Sequence, residues 1–247
     1  MLLRLLKTGL IAGFLTAIIY SVVQALTVTP LILEAETYES AAGGHDHAAL
    51  AGPATQGAAQ LIFVHSQPGD AAQAGADTAP GWAPADGIER TAFTFLANLV
   101  TAVGFAFLLV AAMALRGKPV DARSGLLWGL AGFAVFTVAP ALGLPPEVPG
   151  SAAADLTARQ TWWLATAGAT AAGIALIVFT RQRALQGLGI VTLLLPHLIG
   201  APQPVTGPAG AVPAELASHF VVWTLATAAL FWAVLGSACG TLYRRFA

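Results

Sequence analysis

Thr192-Leu-Leu-Leu-Pro196-His197-Leu-Ile-Gly-Ala-Pro202 closes one apolar segment of the chain, and Pro213-Ala-Glu215-Leu-Ala-Ser-His219 opens the next. Together they set two histidines and a carboxylate beside or inside apolar segments, where a polar group costs several kcal/mol unless it finds a partner. Two earlier stretches carry a similar pattern: Thr27-Val-Thr-Pro30-Leu-Ile-Leu-Glu34 and Thr137-Val-Ala-Pro140-Ala-Leu-Gly-Leu-Pro145-Pro146-Glu147. Each is an apolar segment ending in Thr-x-x-Pro with an acid shortly after. The pattern predicts a scaffold that gathers three proline-and-acid turns at one membrane surface.

Composition supports that class. Only 9% of the 247 residues are charged and 57% are hydrophobic, far from the quarter or so of charged residues in soluble domains. The chain is therefore expected to be an integral membrane protein, all-α, in a single transmembrane domain. A net charge of −1, with no basic run, offers nucleic acid no footing. The single Cys239 excludes an internal disulfide and a thiolate cluster. Any metal held here is held by nitrogen and oxygen.

Six uncharged apolar stretches stand out, at 8–29, 91–115, 124–141, 161–180, 184–201 and 216–242. A hydrocarbon core of about 30 Å needs about 20 helical residues, so each can cross, the fifth only just. Six crossings put both termini on one side. Arg4, Lys7, Arg116, Lys118, Arg123, Arg181, Arg183, Arg244 and Arg245 share that side, leaving only Arg90 and Arg159 opposite. The positive-inside rule then makes the termini cytoplasmic, in a bacterial inner membrane. Asp121 is the one acid inside, so the outer face is acidic, with His45, His47, His65 and His219 on or near it and His197 in the outer part of the fifth helix.

The first segment also has the basic start and apolar run of a signal peptide, but about 22 apolar residues is long for one and a retained helix is expected. Residues 30–90 form one long outer loop, its middle rich in Ala, Gly, Gln and Pro and predicted to be partly mobile. Gly125-x-x-x-Gly129 in the third helix is a close-packing spacing. Trp162 and Trp163 open the fourth helix as interface anchors. A weak repeat relates Leu156-Thr-Ala-Arg-Gln-Thr-Trp-Trp163 to Leu216-Ala-Ser-His-Phe-Val-Val-Trp223, which suggests three helical hairpins of like orientation.

Several side chains could handle a cation. His197 follows Pro196, whose ring removes a backbone hydrogen bond and frees a carbonyl at the depth of the imidazole. Glu215 and His219 lie one helical turn apart, a spacing that suits a single divalent ion completed by His197. The competing account is ordinary. Glu215 suits the positive end of a helix dipole, and His197 can bond a neighbouring helix. Glu34, Glu36 and Glu39 follow the first segment and would attract cations, or form a solvated loop start. Glu147 sits between prolines that stiffen its turn, and His45-Asp46-His47 forms a short chelating cluster. No nucleotide-binding loop, hydrolase motif or mid-membrane charge is present, so no enzyme and no permanently bound cofactor is expected.

Pro30-Leu-Ile-Leu-Glu34-Ala-Glu36-Thr-Tyr38-Glu39, Ala141-Leu-Gly-Leu-Pro-Pro-Glu147-Val-Pro-Gly150, Arg159-Gln-Thr-Trp-Trp163, Leu195-Pro-His197-Leu-Ile-Gly-Ala-Pro202 and Val212-Pro-Ala-Glu215-Leu-Ala together resemble the CbtA-type predicted cobalt transporter subunits, over nearly the whole chain. The resemblance implies cobalt uptake and a small one-helix partner with a histidine-rich motif. The expected function is uptake of a divalent transition metal, Co2+ first and Ni2+ or Zn2+ next, along Glu34, Glu36, His45 and His47, then Glu147, to a site of His197, Glu215 and His219. The alternative is an accessory subunit that braces a partner in the bilayer without moving metal. A channel for another small solute is a third option, and oligomerisation is left open.

Overall fold

The computed structural model describes residues 1–43, 84–204 and 212–246, with side chains of the first stretch through Tyr38. His45, His47, His65 and the Glu39 side chain lie outside the described residues. The described residues are helical and contain no strand: α1 (Leu2–Gly43), α2 (Ile88–Arg116), α3 (Ala122–Phe133), a π-helical turn (Ala134–Val138) running on into α4 (Ala139–Ala141), α5 (Leu156–Phe179), α6 (Arg183–Ile199) and α7 (Ala214–Arg245). Five are long and apolar enough to cross a bilayer, counting Ala122–Ala141 as one; α6 is the shorter sixth.

α1 departs most from expectation. Instead of ending at Thr29, it continues through Pro30 to Gly43, so Glu34, Glu36 and Tyr38 stand on a helix and not in a loop. Proline removes the bond to the carbonyl of Leu26, a position turned out of the bundle. What carries the helix onward is its other face. Val28, Ile32 and Ala35, spaced at i, i+4 and i+7, are buried against apolar partners from two other segments. α5 likewise starts earlier than expected, because Asp155 caps it by accepting from the Ala158 N–H at 2.8 Å.

α1 packs against both α2 and α7, α3 lies along α7, and α5 pairs with α6. α1–α2 and α5–α6 are thus neighbouring antiparallel pairs. The third helix takes α7 as its main partner, although its π-helical turn and α4 also touch α5. Glycine explains the choice. A Cβ on Gly236 would sit 2.4 Å from the Gly125 carbonyl oxygen and 2.7 Å from Gly129 Cα, and one on Gly240 would meet the Asp121 oxygen at 2.2 Å. The two backbones touch through facing glycines, which suits lipid, where close van der Waals packing takes over from hydrophobic burial. Gly173 and Gly189 do the same between α5 and α6.

The π-helical turn comes just before Pro140. The Ala139 N–H reaches back five residues to the Ala134 oxygen, and widening the turn there relieves the clash a proline ring makes with the preceding turn. Trp232 fills the same level, stacked on Phe136 with centroids 5.7 Å apart and donating Nε1 to Thr137 Oγ1 at 3.2 Å.

At one end of the bundle the Arg4 guanidinium donates from Nε to the Tyr243 oxygen at 2.8 Å and stacks 3.6 Å over the Tyr243 ring. The first and last turns of the chain therefore lie side by side. The opposite, distal end carries the α1 extension, the Pro145–Pro149 turn and the start of α7.

The glycine contact yields an internally controlled test. Gly236→Ala should lower stability by about 1–3 kcal/mol, because the backbone it would strike cannot yield cheaply. Gly104→Ala, where a Cβ meets nothing within 4 Å, should be neutral or slightly stabilising. Thermal unfolding in one detergent measures both, and equal behaviour of the two variants would contradict the close approach.

Candidate functional site

The three proline-and-acid segments do converge at the distal end, and they meet through apolar side chains. Val28, Ile32 and Ala35 of α1, Val148 of the Pro145–Pro149 turn, and Leu216 and Phe220 of α7 form one buried cluster. The acids and His219 stand around it. On α7 the cluster takes Leu216 and Phe220, which turns Glu215 and His219 outward, both exposed. Glu34 is exposed on α1 in the same way.

Two of the expected ligands are otherwise engaged. Glu36 is gripped by Arg90 through both carboxylate oxygens, with Arg90 Nη1 at 3.1 Å from Oε2, and Asp86 approaches the same Nη1 at 3.3 Å. Glu147 accepts from Arg159 Nη2 at 3.0 Å. The two arginines are the only basic residues that charge bias set apart from the other nine, and each neutralises one acid of the collar. Both pairs are largely withdrawn from water, with side-chain exposures of 10% and 16% for Arg90 and Glu36 and 8% and 23% for Arg159 and Glu147. Desolvated pairs of this kind hold elements in register more surely than they add net stability. The first ties α1 to α2, and the second ties the proline turn to α5.

His197 lies elsewhere. It is half-buried on α6, edge-on to Trp162 with centroids 5.9 Å apart. α6 packs along α5, with no comparable packing on α7, so the expected trio of His197, Glu215 and His219 is not brought together. The physical reason is the glycine pairing, which gives α3 to α7 and leaves α6 to α5. Among the described residues no three His, Cys, Asp or Glu side chains gather closely enough to hold a metal ion.

Trp162 also differs from its expected part as a lipid-interface anchor. It is buried, donates Nε1 to the Pro196 carbonyl at 3.3 Å, and fills the notch over Gly143, where a Cβ would come within 2.4 Å of the ring. The same carbonyl accepts from the Gly200 N–H at 3.0 Å. Trp162 thus locks the third helix, α5 and the end of α6 together beside His197. Trp163 is half-buried and faces Phe136 at 6.2 Å.

Sequence reasoning also passed over a polar group inside the bundle. Asn98 on α2 is fully buried and donates to Ser21 Oγ at 2.9 Å and Gln24 Oε1 at 2.7 Å, both on α1. An asparagine and a glutamine in otherwise uncharged spans were the available clue.

The family model described as probable cobalt transporter subunit (CbtA) matches residues 2–244. The chain belongs to that family. No curated protein and no solved structure matches it. The family is described as a probable transporter subunit, and the five long apolar helices agree with a membrane protein in contact with lipid.

Burial pushes the Glu147 carboxyl above the usual glutamate range, with the Arg159 charge pulling it back only in part. The native state therefore holds this proton more tightly than the unfolded chain. The resulting stabilisation is full below the ordinary value of 4.5 and is lost as pH rises through the raised native value. Glu147→Gln should flatten that part of the pH dependence of thermal unfolding in detergent; an unaltered slope would show that Glu147 is not its source.

Proposed function

We propose that this CbtA-family chain is the membrane-embedded subunit of an uptake system for a divalent transition metal, with Co2+ as its first cargo and Ni2+ or Zn2+ as competitors of similar ligand preference. The observation that supports this most is the convergence of three acid-bearing segments on one apolar cluster at the end away from the termini. Exposed Glu34, Glu215 and His219 at that rim raise the local cation concentration by simple electrostatics, and the His45/His47 stretch would add imidazoles to it. With the termini cytoplasmic in a bacterial inner membrane, as the charge bias favours, the rim faces the metal supply. Glu36 and Glu147 join as ligands only after parting from Arg90 and Arg159. His197 serves as a later contact beside the Trp162 lock. A small one-helix partner carrying histidines completes the system.

A second role has an observation in its favour. Glu36 and Glu147 are ion-paired, and no three-residue metal group occurs among the described residues. An accessory subunit that braces its partner, with polar groups engaged in holding helices, accounts for both facts.

Elemental analysis of cells expressing the chain, with and without its partner, separates the two. Uptake predicts accumulation of cobalt above nickel and zinc, lost in His197→Ala/His219→Ala at an unchanged membrane level. An accessory role predicts no accumulation by the chain and no ion-specific heat when the purified protein is titrated with Co2+.

A further inference from the structure

The end of the bundle that carries the termini is as one-sided in charge as the distal rim is mixed. Gly9 and Gly13 of α1 face Phe107 and Val103 of α2, and Gly125 of α3 faces Gly240 of α7. The start of α1, the end of α2, the start of α3 and the end of α7 therefore lie together, and Phe179 against Trp128, with centroids 6.0 Å apart, adds the end of α5. Nine of the eleven basic residues fall at this end, with Asp121 as the one acid. Asp121 is already engaged: it caps α3, accepting from the Ser124 N–H at 2.8 Å and from Ser124 Oγ at 2.7 Å. Among the described residues the ion pairs stand at the distal end, and Arg116, Arg181 and Arg183 have no carboxylate partner.

Three of these cations come together. α2 and α5 do not pack along each other, yet Arg116, the last residue of α2, reaches across and sets its guanidinium 5.0 Å over the Phe179 ring. A guanidinium held over a ring is held through its face, and its N–H donors project in its plane. None of those donors meets an acceptor among the described residues. Arg181 follows two residues after Phe179, so its Cα is within about 7 Å of the Phe179 Cα. Gln186 Nε2 donates to the Thr180 carbonyl at 3.1 Å and to the Ile177 carbonyl at 3.4 Å. That folds the first turn of α6, with Arg183, back onto the last turn of α5. Beneath the three arginines lies an aromatic floor, Phe179 being 51% exposed and backed by Trp128.

We propose that Arg116, Arg181 and Arg183 hold the headgroup of an anionic phospholipid, with its upper acyl chain lying against Phe179. Charge complementarity names the occupant. Planar guanidinium groups match phosphate oxygens two at a time, and basic clusters between helix ends at the membrane boundary take acidic headgroups. A metal cation is repelled by the same three charges. The aromatic floor distinguishes a lipid from a free anion, because rings at the bilayer boundary meet the headgroup and the first part of the chain together. This site is independent of the uptake reading, since it stands at the end opposite the collar and uses none of its residues.

The test is native mass spectrometry of the full chain released from nanodiscs of equal parts phosphatidylglycerol and phosphatidylcholine with identical acyl chains. The wild-type chain should retain phosphatidylglycerol in preference to phosphatidylcholine. Arg116→Ala and Arg181→Ala should each lower that preference about fivefold, the effect of one basic residue at an anionic lipid surface. Phe179→Ala, which leaves every charge in place, should lower it as well. Arg245→Ala removes the same charge from the end of α7 and should leave the preference unchanged. All four side chains are exposed, so the variants should fold, which thermal unfolding in the same nanodiscs checks. Equal retention of the two lipids by the wild-type chain would overturn the site. So would an equal loss in Arg245→Ala and Arg116→Ala, which would assign the preference to a diffuse basic face. An unchanged preference in Phe179→Ala, or displacement of the lipid by millimolar inorganic phosphate, would also overturn it, because an anion alone would then suffice.

Discussion

The distal apolar cluster is the contact on which the rest of the arrangement depends. Val28, Ile32 and Ala35 extend α1 past its proline only because Val148, Leu216 and Phe220 give that face something to pack against. Outside the hydrocarbon region the hydrophobic effect acts at full strength, at roughly 25 cal/mol per Å² of apolar surface removed from water. Deeper down it does not distinguish lipid from protein, and the helices are sorted by how closely their backbones approach. Two different forces therefore assemble the two levels of the molecule. Glycine contacts select which helices pair, and the cluster decides what those pairs display at the distal rim.

That division explains the fate of the polar groups. A helix that buries Leu216 and Phe220 must turn Glu215 and His219 away, so an apolar anchor and an exposed acid are two faces of one turn. Glu36 and Glu147 are drawn in far enough to lose water, and each meets an arginine from a neighbouring element. Removing one member of such a pair leaves a buried charge, which is far costlier than never having had the pair. The collar is consequently a set of free acids around a set of clamped ones.

Much of this was legible in the residues. Hydropathy and the six apolar runs gave the helical membrane class, and the facing glycines were announced by Gly125-x-x-x-Gly129. The recurrence of proline with a nearby acid marked the three segments that do meet. What misled was proline taken as a terminus at Pro30, since tertiary burial of Val28, Ile32 and Ala35 overrides a single missing hydrogen bond. Partner choice was also hidden: a period of 3.6 tells which face of α3 is small, but not that Gly236 and Gly240 lie opposite it. For the same reason His197 could be read as a ligand candidate and still be assigned the wrong neighbours. Arg90 and Arg159 were visible as the two exceptions to the charge bias, and their role as counter-ions followed once the acids were seen beside them. Asn98 was overlooked because attention went to charge, while in a membrane an uncharged amide carries comparable information.

Hydrogen exchange of the backbone amides from Leu31 to Tyr38, in the protein held in a lipid nanodisc, tests the central contact most directly. The distal cluster predicts slow exchange through this segment, at the level of the membrane-spanning part of α1, and a return to rapid exchange when Phe220→Ser removes its apolar partner on α7. Rapid exchange of residues 31–38 in the unmodified protein would contradict it, because the segment would then be the solvated loop that Pro30 suggests.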